Sequence, residues 1–363
     1  MKVGIVGMPN AGKSSLFSAL TGVAAEAANY PFTTIEPNVA IVPVTDDRLA
    51  AVADTVRASK LVPDTIAFHD IAGLVAGAHK GEGLGNQFLA NIRETDALVH
   101  VVRAHTDESI IHPEGRVDPM ADIDTIETEL VYADLEQAER RCDRVAKQAK
   151  TGDRHAIAEA EWLRELVAAL QAGRPARTLP PPADAWVGGT DFMALLSPLT
   201  GKPVLFVANV EEGSTEVPEA IAAHAAAQGA QAVAVSARLE AELGELGDED
   251  AAAMREDLGL AESGLATVVR GAFSLLDLVA FFTAGEDKPA QSWHLRRGLS
   301  VWHAAGQIHS DIQRGFVRAE VVGWDQLTSA GGYAGARERG TLRLEGRDYV
   351  VADGDVITVK FTP

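Results

Sequence analysis

One short segment near the start of the chain carries the clearest chemistry in the sequence. Residues 7–14 read GMPNAGKS and match the pattern G-x-x-x-x-G-K-[ST] in full, after a strand-like run and before a helical one. Gly12 lacks a Cβ, so the backbone there can bend around phosphate oxygens while successive amides point toward negative charge. Lys13 would reach the β- and γ-phosphates, and the Ser14 hydroxyl would bind Mg²⁺. The predicted nucleotide-binding residues here are Asn10, Ala11, Gly12, Lys13, Ser14 and Ser15.

A second phosphate-binding element follows the strand-like run at residues 65–69. Asp70 opens the sequence DIAG there, and this short pattern becomes specific behind a phosphate loop. Asp70 would contact Mg²⁺ through water, and the Gly73 amide would meet the γ-phosphate. Thr33 and Thr34 lie between the two elements, and a threonine at this place can close over Mg²⁺ when a triphosphate is bound. We choose Thr34 over Thr33, so the predicted metal ligands are Ser14, Thr34 and Asp70.

The segment after the strand-like run at residues 203–208 departs from a well-known base-reading motif. GTPases of this fold read guanine with N-K-x-D, whose aspartate accepts hydrogen bonds from guanine N1 and N2. This chain has N-V-E-E, and a glutamate does not fit the same guanine geometry. A site built to hydrogen-bond one exocyclic pattern rejects another, so adenine is plausible and guanine selectivity should be poor. The predicted base-site residues are Asn209, Val210, Glu212, Ser236 and Ala237.

The residue after Gly73 affects the expected rate of nucleotide hydrolysis. Many GTPases of this class place a glutamine there to orient the attacking water. Here the residue is Leu74, whose side chain cannot hydrogen-bond water, so either another group orients the water or hydrolysis is very slow. The candidates for that group are His79 and His112, both in predicted loops.

The elements that must position these residues alternate along the chain. Short apolar runs at residues 2–6, 65–69, 97–102 and 203–208 read as buried strands with helical stretches between them. This alternation predicts an α/β fold with a mostly parallel sheet covered by helices on both faces. Short β-rich runs separated by turns follow a linker at residues 285–289, and they predict a small α+β domain.

The stretch from about residue 124 to 172 has a different pattern, in which apolar residues recur at alternating spacings of 4 and 3 on both sides of a turn at residues 151–153. This pattern predicts two helices joined in an antiparallel hairpin, and the alternative is two ordinary amphipathic helices on the main domain. The seam residues are Val131, Leu135, Ala138, Cys142, Val145 and Ala149 on the first helix, and Ala156, Ala160, Leu163, Val167 and Leu170 on the second.

Composition sets broad limits on the kind of protein. The net charge of −20 over 363 residues disfavours generic nucleic-acid binding, because an acidic surface repels phosphates. Residues 288–363 carry 10 Lys and Arg against 8 Asp and Glu, so this segment is best able to approach nucleic acid. The single cysteine indicates a reducing compartment, and no apolar run is long enough for a membrane span. We therefore expect a cytoplasmic protein without a membrane partner.

The motifs together resemble those of the YchF-type Obg-like ATPases, a family of the TRAFAC class. Besides the phosphate loop and the N-V-E-E segment, the likeness lies in NYPFTTIEPN (29–38), DIAGL (70–74), KGEGLGNQF (80–88) and NIRET (91–95). In the last part of the chain, the segments that resemble the family's TGS domain are FTAG (282–285), IHSDIQRGFVRA (308–319) and EGRDYVVADGD (345–355).

The resemblance implies a chain in three parts. An OBG-type P-loop nucleotide-binding domain would cover residues 1–125 and 185–284. A helical hairpin or coiled-coil insertion would cover residues 126–184. A TGS domain, with a ubiquitin-like β-grasp α+β fold, would cover residues 285–363.

The resemblance also implies an activity and partners. ATP would be bound in preference to GTP and hydrolysed slowly to ADP with Mg²⁺, in association with ribosomes, chiefly with rRNA or protein of the large subunit, and without DNA. His112 matches a histidine proposed to assist catalysis in this family, so the predicted catalytic residues are Lys13, Gly73 and His112. Asn10 stands where related enzymes use an asparagine to help hold K⁺, and a role in hydrogen bonding within the loop is the alternative.

Three readings of the function stay open from the sequence. The first is a slow ATPase that acts as a nucleotide-dependent switch, with Thr34 and the segment after Gly73 ordered by ATP. The second is a module that senses ATP or ADP and whose hydrolysis is incidental, which Leu74 favours. The third is a GTPase with a relaxed base site.

Overall fold

The computed structural model describes most of the chain as helices, strands and short connections. The described residues are 1–26, 38–71, 84–106, 115–182, 186–187, 190–260 and 262–362. The strands are β1 (Lys2–Val6), β2 (Val39–Val44), β3 (Lys60–Val62), β4 (Asp64–Asp70), β5 (Ala97–Arg103), β6 (Trp186–Val187), β7 (Thr190–Asp191), β8 (Val204–Asn209), β9 (Gln231–Val235), β10 (Leu278–Thr283), β11 (Pro289–Arg296), β12 (Phe316–Gly323), β13 (Arg343–Glu345) and β14 (Asp355–Phe361). The helices are α1 (Lys13–Glu26), α2 (Asp47–Val56), α3 (Leu84–Arg93), α4 (Pro119–Ala149), α5 (Arg154–Gln171), α6 (Phe192–Leu196), α7 (Glu219–Ala227), α8 (Ala237–Leu243), α9 (Asp248–Asp257), α10 (Gly264–Ser274), α11 (Val301–Ile308), α12 (Ser310–Arg314), α13 (Trp324–Ser329) and α14 (Tyr333–Glu338).

The described residues divide into two compact units. The first unit holds residues 1–26, 38–40 and 67–272, and the second holds residues 41–66 and 273–362, with the undescribed positions within these spans left out.

A six-stranded sheet with the strand order β2-β4-β1-β5-β8-β9 forms the centre of the α/β fold. β1 pairs in parallel with β4 and β5, and β8 continues the parallel pairing from β5 to β9. Every residue of β5 and β8 is buried, as expected for strands that lie between covering layers. The α/β class predicted from alternating strands and helices is confirmed.

The helical hairpin consists of α4 and α5, joined by the turn at residues 150–153. Asp118 caps α4 by accepting a hydrogen bond from the Ala121 amide, and Asp153 caps α5 by accepting one from the His155 amide. All the predicted seam residues belong to one apolar cluster, which also includes Trp162 and Leu166. The predicted hairpin is therefore present in the fold. Within the described part of the chain, α4 included, no helix has the length and apolar character required to cross a membrane.

The hairpin begins earlier than the predicted insertion at residue 126. α4 starts at Pro119, and its first turns place Ile123, Ile126 and Leu130 in the same apolar cluster as β5 and β8. The seam cluster with α5 starts only at Val131. One continuous helix thus serves both the core of the first unit and the hairpin, because its apolar face passes from one partner to the other along its length.

Asp134 fixes α4 to a short 3₁₀ turn at Leu199–Gly201. Its side chain is 1% exposed. Oδ1 accepts from the Leu199 amide at 2.8 Å, and Oδ2 accepts from the Thr200 amide and the Thr200 hydroxyl, both at 2.7 Å. Three buried donors therefore depend on this one carboxylate.

We expect Asp134→Asn to lower the free energy of unfolding by about 2–4 kcal/mol, because an amide NH₂ cannot accept a hydrogen bond. Whichever way the asparagine is turned, the Leu199 or the Thr200 backbone amide is left buried without its acceptor. Urea denaturation of the two proteins measures this difference. Asp143→Asn, an exposed change on the same helix, is the matched control and should lie within about 0.5 kcal/mol of the unmodified protein. Equal stability of the two variants would contradict the assignment.

The second unit is an α+β domain around another six-stranded sheet, with the order β13-β12-β14-β10-β11-β3. β10 pairs antiparallel with β11 and parallel with β14, and β12 pairs antiparallel with β13 and β14. The apolar side of α2, including Leu49 and Val52, packs in one cluster with Phe282 and Val356. Arg48 adds polar bonds to Asp46 at 2.8 Å and to Asp353 at 2.7 Å.

The boundaries of this unit differ from the predicted start at residue 285. The C-terminal part of the unit starts at Phe273. It includes β10, which pairs with β11 on one edge and with β14 on the other and therefore lies inside the second sheet. Residues 41–66 also belong to this unit, since α2 packs in its core and β3 pairs with β11. The predicted domain 1–125 therefore contains a segment that the structure groups with the C-terminal residues. Periodicity shows which face of α2 is buried, but not which core buries it.

Candidate nucleotide-binding site

The residues with predicted roles that the structure describes gather at one edge of the first sheet. Parallel strands end on the same side, so the residues after β1, β4, β5, β8 and β9 come close together there. The backbone pairing of Ile5 with Asp70 places the end of β4 beside the start of the phosphate loop. This edge of an open α/β sheet is the usual place for ligands in such folds.

The phosphate loop requires glycine at two positions, Gly7 and Gly12. Gly7 has a φ of 151°, and a Cβ there would overlap the Val101 carbonyl oxygen. Gly12 has a φ of 102°, and a Cβ there would overlap Asn209 Nδ2. Left-handed and related conformations strain residues with a side chain, so both the backbone shape and the lack of space require glycine. Asn10, at a φ of 63°, is a third residue of this loop with a positive φ, and it lies in the left-handed region.

Lys13 lies inside the loop. Its side chain is 7% exposed, and Nζ donates to the Gly7 carbonyl at 3.0 Å and to the Met8 carbonyl at 2.8 Å. Burial lowers the pKa of Lys13 to about 8, and the charge of Asp70 acts in the opposite direction. A cation held by the loop's own carbonyls at the start of α1 is already positioned to meet an anion.

Asn209 joins the phosphate loop to the start of α8, on the side of the cavity predicted to bind the base. Its Nδ2 donates to the Ala11 carbonyl at 3.1 Å, and its Oδ1 accepts from the Ala237 amide at 3.0 Å. Ser236 then caps α8, since its Oγ accepts from the Leu239 amide. The asparagine predicted to read the base therefore also fixes the loop and the helix on either side of it.

A cavity of about 590 Å³ extends from the phosphate loop to the segment after β8. Its lining residues are Asn10, Gly12, Lys13, Ser14, Ser15, His105, Asn209, Val210, Glu211, Glu212, Ser236 and Arg238. The volume suits a nucleotide-sized ligand. Of the residues predicted for binding, Ala11 and Ala237 are buried and take part through their backbone bonds to Asn209.

Three lining residues were not predicted from the sequence, namely His105, Glu211 and Arg238. Glu211 accepts from the Thr106 amide at 2.8 Å and from the Thr106 hydroxyl at 3.0 Å, so it connects the chain after β5 with the chain after β8. Arg238 forms ion pairs with Glu212 and Glu242. Their position just after the ends of β5, β8 and β9 is the signal that could have indicated them.

Mg²⁺ fits the donors that the structure describes at this site. The Ser14 hydroxyl lies at the start of α1, and the Asp70 carboxylate lies at the end of β4, close enough to influence the pKa of Lys13. Hydroxyl and carboxylate oxygens are the ligands that Mg²⁺ takes in nucleotide sites, together with phosphate oxygens. The predicted residues Thr34, Gly73 and His112, and also Leu74 and His79, lie outside the described residues.

A phosphate loop between the first strand and helix of a parallel sheet, with a buried lysine and an adjoining cavity, defines the class of P-loop nucleoside-triphosphate-binding proteins. A family model described as a 50S ribosome-binding GTPase matches residues 2–133, and the YchF-GTPase_C model, described as a protein of unknown function, matches residues 278–362.

Whole-chain relatives narrow this class to one family. A Bacillus subtilis protein called "Ribosome-binding ATPase YchF" is 46% identical over 99% of both chains, and the Escherichia coli O157:H7 protein of the same name is 45% identical over 99% of both. The solved structure of the Schizosaccharomyces pombe YchF GTPase superposes with a TM-score of 0.85 at 32% identity, covering 99% of this chain and 97% of the other. The chain belongs to the YchF family, which confirms the resemblance found in its motifs. The assignment of the C-terminal unit as a TGS domain stays a prediction.

Proposed function

We propose that the protein is an ATPase that binds ATP in preference to GTP, hydrolyses it slowly, and acts as a nucleotide-dependent switch on the ribosome. The observation that carries this proposal is the cavity that leads from Lys13 to a base segment without N-K-x-D. Lys13 holds a positive charge at the phosphate end, and Val210 and Glu212 line the base end where guanine readers have lysine and aspartate. Family membership supports the hydrolase activity, because its relatives are named ATPases.

Within this proposal the residues that would hold Mg²⁺ are Ser14, Asp70 through water, and Thr34, the last of these from the sequence. When bound, the ion would neutralise charge that develops on the phosphate oxygens. Lys13 stabilises the same charge from the protein side and orients the phosphates. Asn10 is proposed to help hold K⁺ beside them.

The slow rate rests on Leu74, which offers no hydrogen bond to an attacking water. His112 is proposed as the group that assists catalysis, with the Gly73 amide at the γ-phosphate. Leu74 also supports the second candidate, a sensor of ATP or ADP whose output depends on occupancy alone. If His112→Ala abolishes turnover but leaves ATP binding and partner association intact, the sensor is favoured over the switch that depends on hydrolysis.

The ribosome is proposed as the partner because the names of the relatives and one matching family description include ribosome binding. The large subunit, through rRNA or protein, is the proposed contact. Co-sedimentation of the purified protein with separated large and small subunits, with ATP or ADP present, tests this directly. Pelleting with neither subunit in either nucleotide state would contradict the partner assignment.

A binding panel with ATP, GTP and ADP, with and without Mg²⁺ and K⁺, tests the nucleotide part. We expect ATP to bind at least about tenfold more tightly than GTP, since the site was not built for the guanine hydrogen-bond pattern. We expect Mg²⁺ to increase the affinity for ATP and GTP more than the affinity for ADP, because ADP lacks the γ-phosphate oxygens that would also bind the ion. Tighter binding of GTP would overturn the proposal in favour of a relaxed GTPase.

Restoring the guanine motif should shift base choice. We expect the double change Val210→Lys with Glu212→Asp to shift the ratio of ATP to GTP affinity toward GTP by about tenfold or more. The shorter side chain of aspartate places its carboxylate where guanine N1 and N2 require it. Fluorescent-nucleotide displacement measures both affinities. Glu216→Asp, an exposed change in the same loop, is the control. An unchanged ratio in a folded double variant would exclude these two residues as the source of base choice.

A further inference from the structure

Arg238 is held at a defined place on the cavity wall. It is the second residue of α8, and the first residue of that helix donates its amide to Asn209 Oδ1. Asn209 in turn donates to the Ala11 carbonyl of the phosphate loop. The backbone under Arg238 is therefore tied through two hydrogen bonds to the loop that would hold the phosphates, and its side chain lines the same cavity.

The guanidinium of Arg238 lies beside a carboxylate that also lines the cavity. Its Nε is 3.6 Å from Glu212 Oε1 and 2.9 Å from Glu242 Oε1. Arg238 is 70% exposed and Glu212 is 52% exposed, and exposed ion pairs contribute little to the stability of a fold. Glu242, one turn further along α8, orients the guanidinium without lining the cavity. A donor fork and an acceptor thus stand next to each other at the base end of the site.

This pair matches the edge of adenine. Adenine presents an acceptor, N1, beside a donor, the N6 amino group. Guanine in the same orientation would place its acceptor O6 against the glutamate and its donor N1–H against the arginine, so both contacts would be lost. An arginine can only donate and an ionised glutamate can only accept. We propose that Arg238 donates to adenine N1 while Glu212 accepts from N6, so that Arg238 is a specificity-determining residue of the base site. This inference rests on the proposed preference for ATP and names the side chains that produce it.

Two ATP analogues test the two contacts separately. In 1-deaza-ATP the N1 acceptor is replaced by C–H, and purine riboside triphosphate lacks the 6-amino group. We expect the unmodified protein to bind ATP about tenfold more tightly than either analogue, as for the loss of one hydrogen bond to a charged group. We expect Arg238→Ala to bind ATP about tenfold more weakly and to bind ATP and 1-deaza-ATP alike. Glu212→Ala should bind ATP and purine riboside triphosphate alike.

Arg270→Ala is the matched control. It removes an exposed arginine of α10, a helix of the same unit. This arginine pairs with Glu262 at 2.7 Å and does not line the cavity. This variant should keep the affinities and analogue ratios of the unmodified protein. Thermal unfolding of all variants verifies that each one is folded. We expect both arginine variants to fold, because both side chains are exposed.

The outcomes separate this inference from the proposed function. If Arg238→Ala weakens ATP and 1-deaza-ATP equally, so that their ratio persists, the arginine acts as a general charge and the inference is overturned. If the unmodified protein prefers ATP to GTP but does not distinguish ATP from 1-deaza-ATP, the inference also fails while the proposed function stands. If the unmodified protein prefers GTP, the proposed function itself fails.

Discussion

Replacing Lys13 with alanine should lower the rate of ATP hydrolysis by about a thousandfold, because the change removes the buried cation that stabilises charge on the phosphates in the transition state. The structure shows what removal of this side chain would leave in the loop. The side chain is buried within the loop, and its ammonium is bonded to the Gly7 and Met8 carbonyls, which are acceptors and would repel a phosphate without it. Nucleotide affinity should fall as well.

Release of phosphate at saturating ATP, together with displacement of a fluorescent nucleotide, measures both effects. Lys150→Ala, which removes an exposed lysine at the end of α4, is the control for loss of charge and should leave both values unchanged. Hydrolysis by folded Lys13→Ala at close to the unmodified rate would show that the phosphates bind elsewhere.

Replacing Gly12 with alanine should weaken nucleotide binding by about a hundredfold or more, since the loop that cradles the phosphates and the segment that meets the base would be displaced together. The added Cβ would overlap Asn209 Nδ2 and lie 3.1 Å from Asn209 Cγ, and the φ of 102° is unfavourable for alanine. Asn209 would have to move, and its bonds to the Ala11 carbonyl and the Ala237 amide would be lost or lengthened.

Gly22 provides the matched control on α1. A Cβ there meets nothing within 4 Å, so Gly22→Ala should leave nucleotide affinity unchanged. It should raise the free energy of unfolding by about 0.5–1 kcal/mol, because alanine restricts the unfolded chain and favours the helix. Equal nucleotide affinities for Gly12→Ala and Gly22→Ala would contradict the role assigned to Asn209.

The hairpin and the phosphate loop illustrate what could be predicted from the sequence. Each depends on residues close in the chain, namely the alternating spacing from Val131 to Leu170 and the pattern of residues 7–14. Local spacing determines which residues share a helix face or a loop, and the structure has all the seam residues in one cluster.

Contacts between distant parts of the chain could not be predicted in this way. The three hydrogen bonds to Asp134 come from residues far along the chain, and a polar residue in a helix usually indicates a solvated face. The pairing of β3 with β11 and the packing of α2 with β10 likewise depend on which sheet an amphipathic segment reaches. No local pattern records that choice.

The phosphate-binding loop, the altered base motif and the alternation of strands and helices could be recognised without the structure, because each is a property of neighbouring residues. Tertiary contacts were needed to show that Asn209 connects the loop to α8, that Arg238 lies beside Glu212 in the cavity wall, and that residues 41–66 group in one compact unit with the C-terminal residues. These contacts arise when parallel strands bring their ends to one edge and when an apolar face is buried in a particular core, and both follow from packing over the whole fold.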